Sequence, residues 1–260
     1  MPLQVEHFGA VTRITLNRPE VRNAFNAELI AALTQAFRTV AAEPLTRAVV
    51  LGGHGKAFCA GADLGWMREM AGYDWDQNRA DAQALADMLW AIYACPVPVV
   101  ARIHGDCYAG GVGLAAVCDV LVAAESVTFC LSEARLGLLP ATISPYVIRA
   151  MGEQAARRYF ITAERFSAAQ AKAMGFVHEV CAAEALDAKV DEIVATLLAN
   201  GPMAVRACKR LVQDVAGRPI SDELRAETAR RIADIRASDE GREGVQSFLT
   251  KRPPAWWLTP

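Results

Sequence analysis

The sequence predicts an α/β fold from two recurring observations: short apolar, strand-like runs lead into glycine-rich turns, and apolar residues at helical spacing follow those turns. The two turns are GKAFCAGADL (residues 55–64) and HGDCYAGGVGL (residues 104–114). At 260 residues, 53% hydrophobic and 22% charged, the chain is long enough to bury one full core, with at most a small appendage.

The elements follow in order. VEHF and VTRITLN alternate apolar and polar residues around Gly9 and predict a hairpin. Leu29, Ile30, Leu33 and Phe37 have helical spacing, with Asn26 placed to cap the helix. RAVVLGG predicts a buried strand ending at Gly52 and Gly53, ahead of the first glycine turn. Leu85, Met88, Leu89 and Ile92 mark a second helix, stopped at Cys95 and Pro96. VPVVARI is the next strand; the second glycine turn opens a helix toward Cys118, and DVLVAAE returns as a strand. Beyond Ile143 the pattern is helical except for an extended piece near GFVHEV, and Ala204, Cys208, Leu211, Val212 and Val215 form one apolar stripe. Trp256 and Trp257 in the tail suit packing or a subunit contact.

Composition narrows the function. A net charge of −2 without a basic block argues against nucleic acid as a partner. The nearly uncharged run from Cys107 to Ala124 is broken by Asp119 and by glycines, which favours core over a membrane span. The N-terminus lacks a basic region followed by an apolar run, so no secretory signal is expected. Seven scattered cysteines (59, 95, 107, 118, 130, 181 and 208) form no CxxC pair, pointing to a reduced, cytoplasmic setting. The four histidines show no metal-ligand spacing, so no metal is expected.

Several chemistries fall away at the motifs. Gly111, Gly113 and Ala116 match GxGxxA, but a dinucleotide fold would begin with that unit, and here it lies mid-chain. Lys56 follows Gly55 as in a P-loop, yet Ala57 stands where Ser or Thr is needed and Val50 where the first glycine belongs. No GxSxG elbow is present. Two turns that offer separately held backbone amides remain, the raw material of an oxyanion hole. The acid or base to serve them is Glu133 in LSEARLGLLP; the alternative for any such carboxylate is a solvated surface position.

Taken together, LNRPEVRNAF (residues 16–25), GKAFCAGADL, HGDCYAGGVGL and SEARLGLLP resemble the crotonase, or enoyl-CoA hydratase/isomerase, superfamily over nearly the whole chain. The resemblance implies a spiral of ββα turns over residues 1–195 and a C-terminal helical trimerisation region over residues 196–260, in a homotrimer or dimer of trimers. It implies an acyl-CoA substrate, with no cofactor beyond the CoA that the substrate carries. By position, the Ala62 and Gly110 amides become the oxyanion donors and Glu133 the catalytic acid/base. Arg22, the Ala60 backbone and Lys251, supplied by a neighbouring subunit, become the CoA contacts. One departure stands out: two-acid hydratases carry a glutamate where this chain has Gly113. Glu133 then works alone or with Tyr108, Ser144 or a substrate carboxylate. GADLGWMREMAGY and SEARLGLLPATISPYVIRAMGE further resemble bacterial methylglutaconyl-CoA and carboxygeranoyl-CoA hydratases of leucine and acyclic terpene breakdown, and these accommodate the glycine. Arg135 is a candidate partner for a second substrate carboxylate, or else forms a salt bridge. The pocket walls are expected around Trp66 and Met67. The rivals are a Δ3,Δ2-enoyl-CoA isomerase using the same residues and a non-catalytic CoA-binding protein.

Overall fold

The hairpin predicted by alternation forms from β1 (Leu3–Phe8) and β2 (Val11–Leu16), paired antiparallel around Gly9. The computed structural model describes residues 1–257; the end of the predicted helical region, residues 258–260, lies outside the described residues. Helix α1 (Ala27–Ala42) starts where the Asn26 side chain accepts the Leu29 N–H at 2.9 Å. Its stripe of Leu29, Ile30, Leu33 and Phe37 is fully buried.

The chain then winds in repeats. Strand β3 (Ala48–Gly53) leads through a short bend into β4 (Ala57–Cys59), and helices α2 (Leu64–Met70) and α3 (Trp75–Tyr93) follow. The second repeat is β5 (Val99–Ile103), β6 (Asp106–Tyr108) and α4 (Gly110–Ala116). The third is β7 (Val120–Ala124) and β8 (Thr128–Cys130), then α5 (Ser144–Met151) and α6 (Glu153–Thr162). Strand β9 (Arg165–Ser167), α7 (Ala168–Ala173) and β10 (Glu179–Cys181) close the core. The first strand of each repeat joins a six-stranded sheet in the order β1-β2-β3-β5-β7-β10, and the second joins a four-stranded sheet, β4-β6-β8-β9. All neighbours are parallel except β1–β2 and β8–β9. The architecture is therefore the expected α/β spiral of ββα turns, with the core between the two sheets and their helices.

Two features were not in the sequence reading. The glycine turns each contain a three-residue strand, β4 and β6, too short for an alternating pattern. Strand β9 likewise interrupts the stretch read as helical, with only one extended piece expected there; it exists because β8 offers it an antiparallel partner, with Phe129 opposite Phe166 and their rings stacked 5.4 Å apart. Burial of paired aromatics overrides local helical preference at such a site.

Helix α8 (Leu186–Ala199) covers the six-stranded sheet, followed by α9 (Pro202–Val215), α10 (Asp222–Ala237) and α11 (Asp239–Leu249). The predicted helix over the 204–215 stripe is present, with that stripe turned away from the core. Its polar residues face the core: Lys209 Nζ reaches Asp119 Oδ2 at 2.7 Å, Arg206 donates to the Thr46 carbonyl at 3.1 Å, and Gln213 donates to the Tyr93 carbonyl at 2.7 Å. The apolar stripe faces outward, with Val212 67% exposed. In the tail, Trp256 packs within the chain, its indole donating to the Ala199 carbonyl at 3.3 Å and its carbonyl accepting from Arg47 at 3.1 Å.

Among the described residues the Lys209–Asp119 pair is the one ionic contact that α9 drives into the core, the Lys209 side chain being only 7% exposed. Removing the cation leaves a partly buried carboxylate with only the Val99 N–H as a partner, so Lys209→Ala is expected to lower stability by roughly 1–3 kcal/mol. Arg157→Ala, which breaks an exposed pair with Glu153, should stay within about 0.5 kcal/mol of wild type. Denaturant midpoints of both variants check the contrast.

Candidate functional site

Ala62, Gly110 and Glu133 follow the carboxyl ends of β4, β6 and β8, three neighbouring parallel strands in one sheet. Adjacent strands lie about 5 Å apart, so residues scattered over 72 positions of sequence lie beyond the same end of one sheet. The carboxyl ends of parallel strands are where open α/β sheets place ligands.

The first turn is held by Phe25. Its N–H donates to the Gly61 carbonyl at 2.6 Å and its carbonyl accepts the Asp63 N–H at 2.8 Å, a parallel bridge to Ala62. In such a bridge the flanking residues carry the bonds, so the N–H of Ala62 itself points to the opposite side. Gly61 makes this possible. It has φ +92°, and a Cβ there would lie 2.9 Å from Ala109 Cβ and 3.2 Å from the Tyr108 carbonyl, so only glycine lets the two turns meet. In the second turn, Ala109 adopts φ 48°, ψ −121°, a sparsely populated conformation for a residue with a side chain. Its own N–H donates to the Cys130 carbonyl at 2.7 Å, tying the turn to β8. Gly110 then opens α4. Among the described residues, neither the Ala62 nor the Gly110 amide donates to a backbone or side-chain group.

Glu133 begins a 3-10 turn (Glu133–Leu136) closed by Gly137. It is half-buried, and its Oε2 is buried with no hydrogen-bond partner. Burial raises its pKa above the ordinary carboxylate range, against a smaller opposing donation from its own backbone N–H. The surface alternative for this carboxylate is therefore set aside: a solvated acid has no buried, unpartnered oxygen.

Of the other predicted residues, Arg22 and Ala60 lie together, the Ala60 N–H donating to the Arg22 carbonyl at 3.0 Å. Arg22 is exposed and left-handed, φ 54°. Lys251 is also exposed and left-handed (φ 54°), just beyond α11, on the helical layer formed with α9 and α10. The strand-end cluster lies elsewhere, in the four-stranded sheet. Tyr108 is occupied: its hydroxyl donates to Thr128 Oγ1 at 2.7 Å, and Thr128 donates in turn to Asp106 at 2.7 Å. Ser144 Oγ donates to the Ala141 carbonyl at 2.8 Å. Arg135 forms no salt bridge among the described residues and donates one N–H to the Ala163 carbonyl. Trp66 is buried, its indole N–H held by Asp81 at 3.0 Å. Among the described residues no three His, Cys, Asp or Glu side chains gather closely enough to hold a metal ion.

Sequence reasoning missed the residues that lock the first turn. Asn23 is fully buried, accepting the Arg18 N–H at 2.9 Å and donating to the His54 and Ala57 carbonyls at 2.8 and 2.9 Å. Arg18 pairs with Asp63 at 3.0 Å, and Asp63 caps α2 by accepting the Gly65 and Trp66 N–H groups. The available signals were Asp63 at cap position before an apolar run and an asparagine, a residue tolerant of the left-handed region, where φ is 55°.

The model of the family described as enoyl-CoA hydratase/isomerase matches residues 6–258. The chain belongs to the enoyl-CoA hydratase/isomerase family. It is 37% identical to an enoyl-CoA hydratase of Alternaria alternata over 96% of this chain and 82% of that one. Among solved structures it resembles an enoyl-CoA hydratase of Shewanella pealeana (38% identity, TM-score 0.95, covering 98% of this chain and 96% of that one). It also resembles one of Mycobacterium smegmatis (35% identity, TM-score 0.94, covering 98% and 99%). The chain is thus an enzyme of the enoyl-CoA hydratase type, and the crotonase fold expected from its motifs is the fold it has.

Two outcomes follow from the site's geometry. A carboxyl whose pKa is raised on folding binds more protons folded than unfolded, so its charge costs stability at neutral pH and the cost disappears as pH falls below the unfolded value. Glu133→Gln should therefore be more stable than wild type at pH 7, with the margin closing toward about pH 4, as read from urea midpoints across pH. Gly61→Ala, strained in φ and space, should displace the Ala62 amide and lower turnover by about 10²-fold while leaving the circular dichroism spectrum unchanged.

Proposed function

We propose that this enzyme adds water to an α,β-unsaturated acyl-CoA thioester. The observation that carries the reading is that two undonated amides, Ala62 and Gly110, and the unpartnered buried oxygen of Glu133 follow the ends of three adjacent strands. The thioester oxygen accepts both N–H groups, which polarises the conjugated system and makes C3 electrophilic. Glu133, as carboxylate, takes a proton from water while the water oxygen bonds to C3 and the π electrons move onto the thioester oxygen. The resulting enolate collapses as Glu133 returns the proton to C2. Each amide contributes on the order of 3 kcal/mol to the charged transition state. The desolvation that raises the Glu133 pKa makes it a stronger base than an exposed carboxylate and a competent acid nearer neutral pH.

Arg22 and the Ala60 backbone are the proposed CoA contacts, supported by their juxtaposition, and Lys251 a phosphate contact supplied by another subunit. A homotrimer or dimer of trimers is supported by the apolar face that α9 leaves uncovered. The acyl group is proposed to be branched or carboxylated, as in 3-methylglutaconyl-CoA. Supporting this are the resemblance of residues 61–73 and 132–153 to hydratases of such substrates and Arg135, which keeps N–H groups for a carboxylate.

The second reading, isomerisation of a 3-enoyl-CoA by the same residues, is favoured by the absence of a side chain at Gly113, which leaves one carboxyl to shuttle a proton. A non-catalytic CoA binder is disfavoured because it has no use for a desolvated acid. Turnover of 3-methylglutaconyl-CoA, crotonyl-CoA and a 3-enoyl-CoA, with products resolved by mass, separates these readings. Hydration of the branched substrate is expected, and Glu133→Gln should lower kcat/KM by about 10²–10⁴-fold without altering CoA affinity. Mass-neutral conversion of the 3-enoyl substrate alone would overturn hydration.

A further inference from the structure

Gly113 lies on α4 one helical turn beyond Gly110, so the two positions share a face of the helix. A Cβ at position 113 would lie 2.1 Å from Cγ2 and 2.6 Å from Cβ of Ile143. The obstruction is the branch point of a β-branched residue, whose χ1 is restricted, and it cannot swing aside like the tip of a long side chain. Ile143 is held on both sides: it is only 2% exposed, and its carbonyl accepts the Tyr146 and Val147 N–H groups at 3.1 Å each as α5 begins. Helix α5 packs directly on α4. Ile143 also belongs to the connection that starts at Glu133, whose carbonyl accepts the Leu138 N–H at 3.1 Å before the chain passes Pro140.

The acidic and phenolic side chains that follow β4 and end β6 are committed. Asp63 is bound by Arg18 and by two backbone N–H groups, and Tyr108 by Thr128. We infer that Ile143 is a specificity-determining residue: it fills the volume beside Gly113 that a second acidic side chain would need, and so confines the site to the single carboxyl of Glu133. The inference rests on the hydration reading for the reaction it shapes, but not for the packing it describes. With one carboxyl, the proton taken from water and the proton delivered to C2 pass through the same group, so kcat/KM shows one carboxyl ionisation.

The test is a double-mutant cycle of Gly113→Glu and Ile143→Gly in the full chain. Glycine is used at 143 because the Ile143 Cβ itself stands in the way, and glycine suits the residue just before α5. Gly113→Glu alone should lower the melting temperature by about 5 °C or more through overpacking. In the double variant the combined loss should be less than half the sum of the single losses. Its kcat/KM profile should also gain a second carboxyl ionisation, read in whichever reaction the wild type turns over. Additive losses, a Gly113→Glu variant as stable as wild type, or a double variant retaining a single ionisation would each overturn the inference. Failure of the hydration reading looks different: the wild type takes up no water, while the thermal coupling persists.

Discussion

Phe25 joins the two halves of the site. Its backbone bonds the residues on either side of Ala62, and its buried ring lies where a Cβ on Gly110 would meet it at 3.0 Å. A single residue thus fixes the direction of one amide and the position of the other. Phe25 is itself held by Asn23 two residues earlier, whose side-chain bonds run from the Arg18 amide to the carbonyls at the end of β3 and the start of β4. An oxyanion hole depends on donors that do not have to reorganise when charge develops. For the proposed Ala62 and Gly110 donors, that preorganisation comes from a buried asparagine and a buried phenylalanine.

Around Glu133 the chain satisfies nearly everything else. Asp63 receives three donors, Tyr108 and Thr128 bond in series to Asp106, and Arg135 is engaged with the Ala163 carbonyl. Against that background a carboxylate oxygen that is buried and unpartnered is out of place in purely structural terms, since a lost hydrogen bond in such a setting costs about 1–3 kcal/mol. Proteins retain such costs where chemistry requires them, and a group poised to exchange protons with a ligand is the ordinary reason. The strained backbone of Ala109, one residue before the Gly110 amide, belongs to the same pattern.

The repetition of strand, glycine turn and helix was legible because each repeat carries its own local signal: a buried run, a turn residue and a period of 3.6. The sheet-switching strands β4, β6 and β9 carry none, each being three residues long and defined by its neighbours. The site divides in the same way. Ala62, Gly110 and Glu133 could be nominated as candidates because backbone amides in glycine turns and an acid after a strand have a chemistry that sequence displays. Asn23, Arg18 and Ile143 were not, because their roles depend on residues far along the chain: Ala57 for Asn23, Asp63 for Arg18 and Gly113 for Ile143. The absent side chain at Gly113 was visible in the sequence; what fills its place was not.

Helix α9 shows the same limit in sharper form. Its apolar stripe is legible by periodicity, but the side it faces is not: the folded chain turns that stripe outward and inserts Lys209, Arg206 and Gln213 toward the core. This orientation has a physical cause. Asp119, at the start of β7, the Thr46 carbonyl ahead of β3 and the Tyr93 carbonyl at the end of α3 are polar groups at the sheet's rim that need donors, and α9 supplies them. The apolar residues then border an open groove of about 470 Å³ shared with α10, lined by Cys208, Leu211, Ile232 and Ile235. A helix that supplies its polar side to the core leaves its apolar side beside solvent, at a cost set by the area exposed. Periodicity reports that a helix has an apolar face; which way that face points depends on the polar groups waiting on the other side.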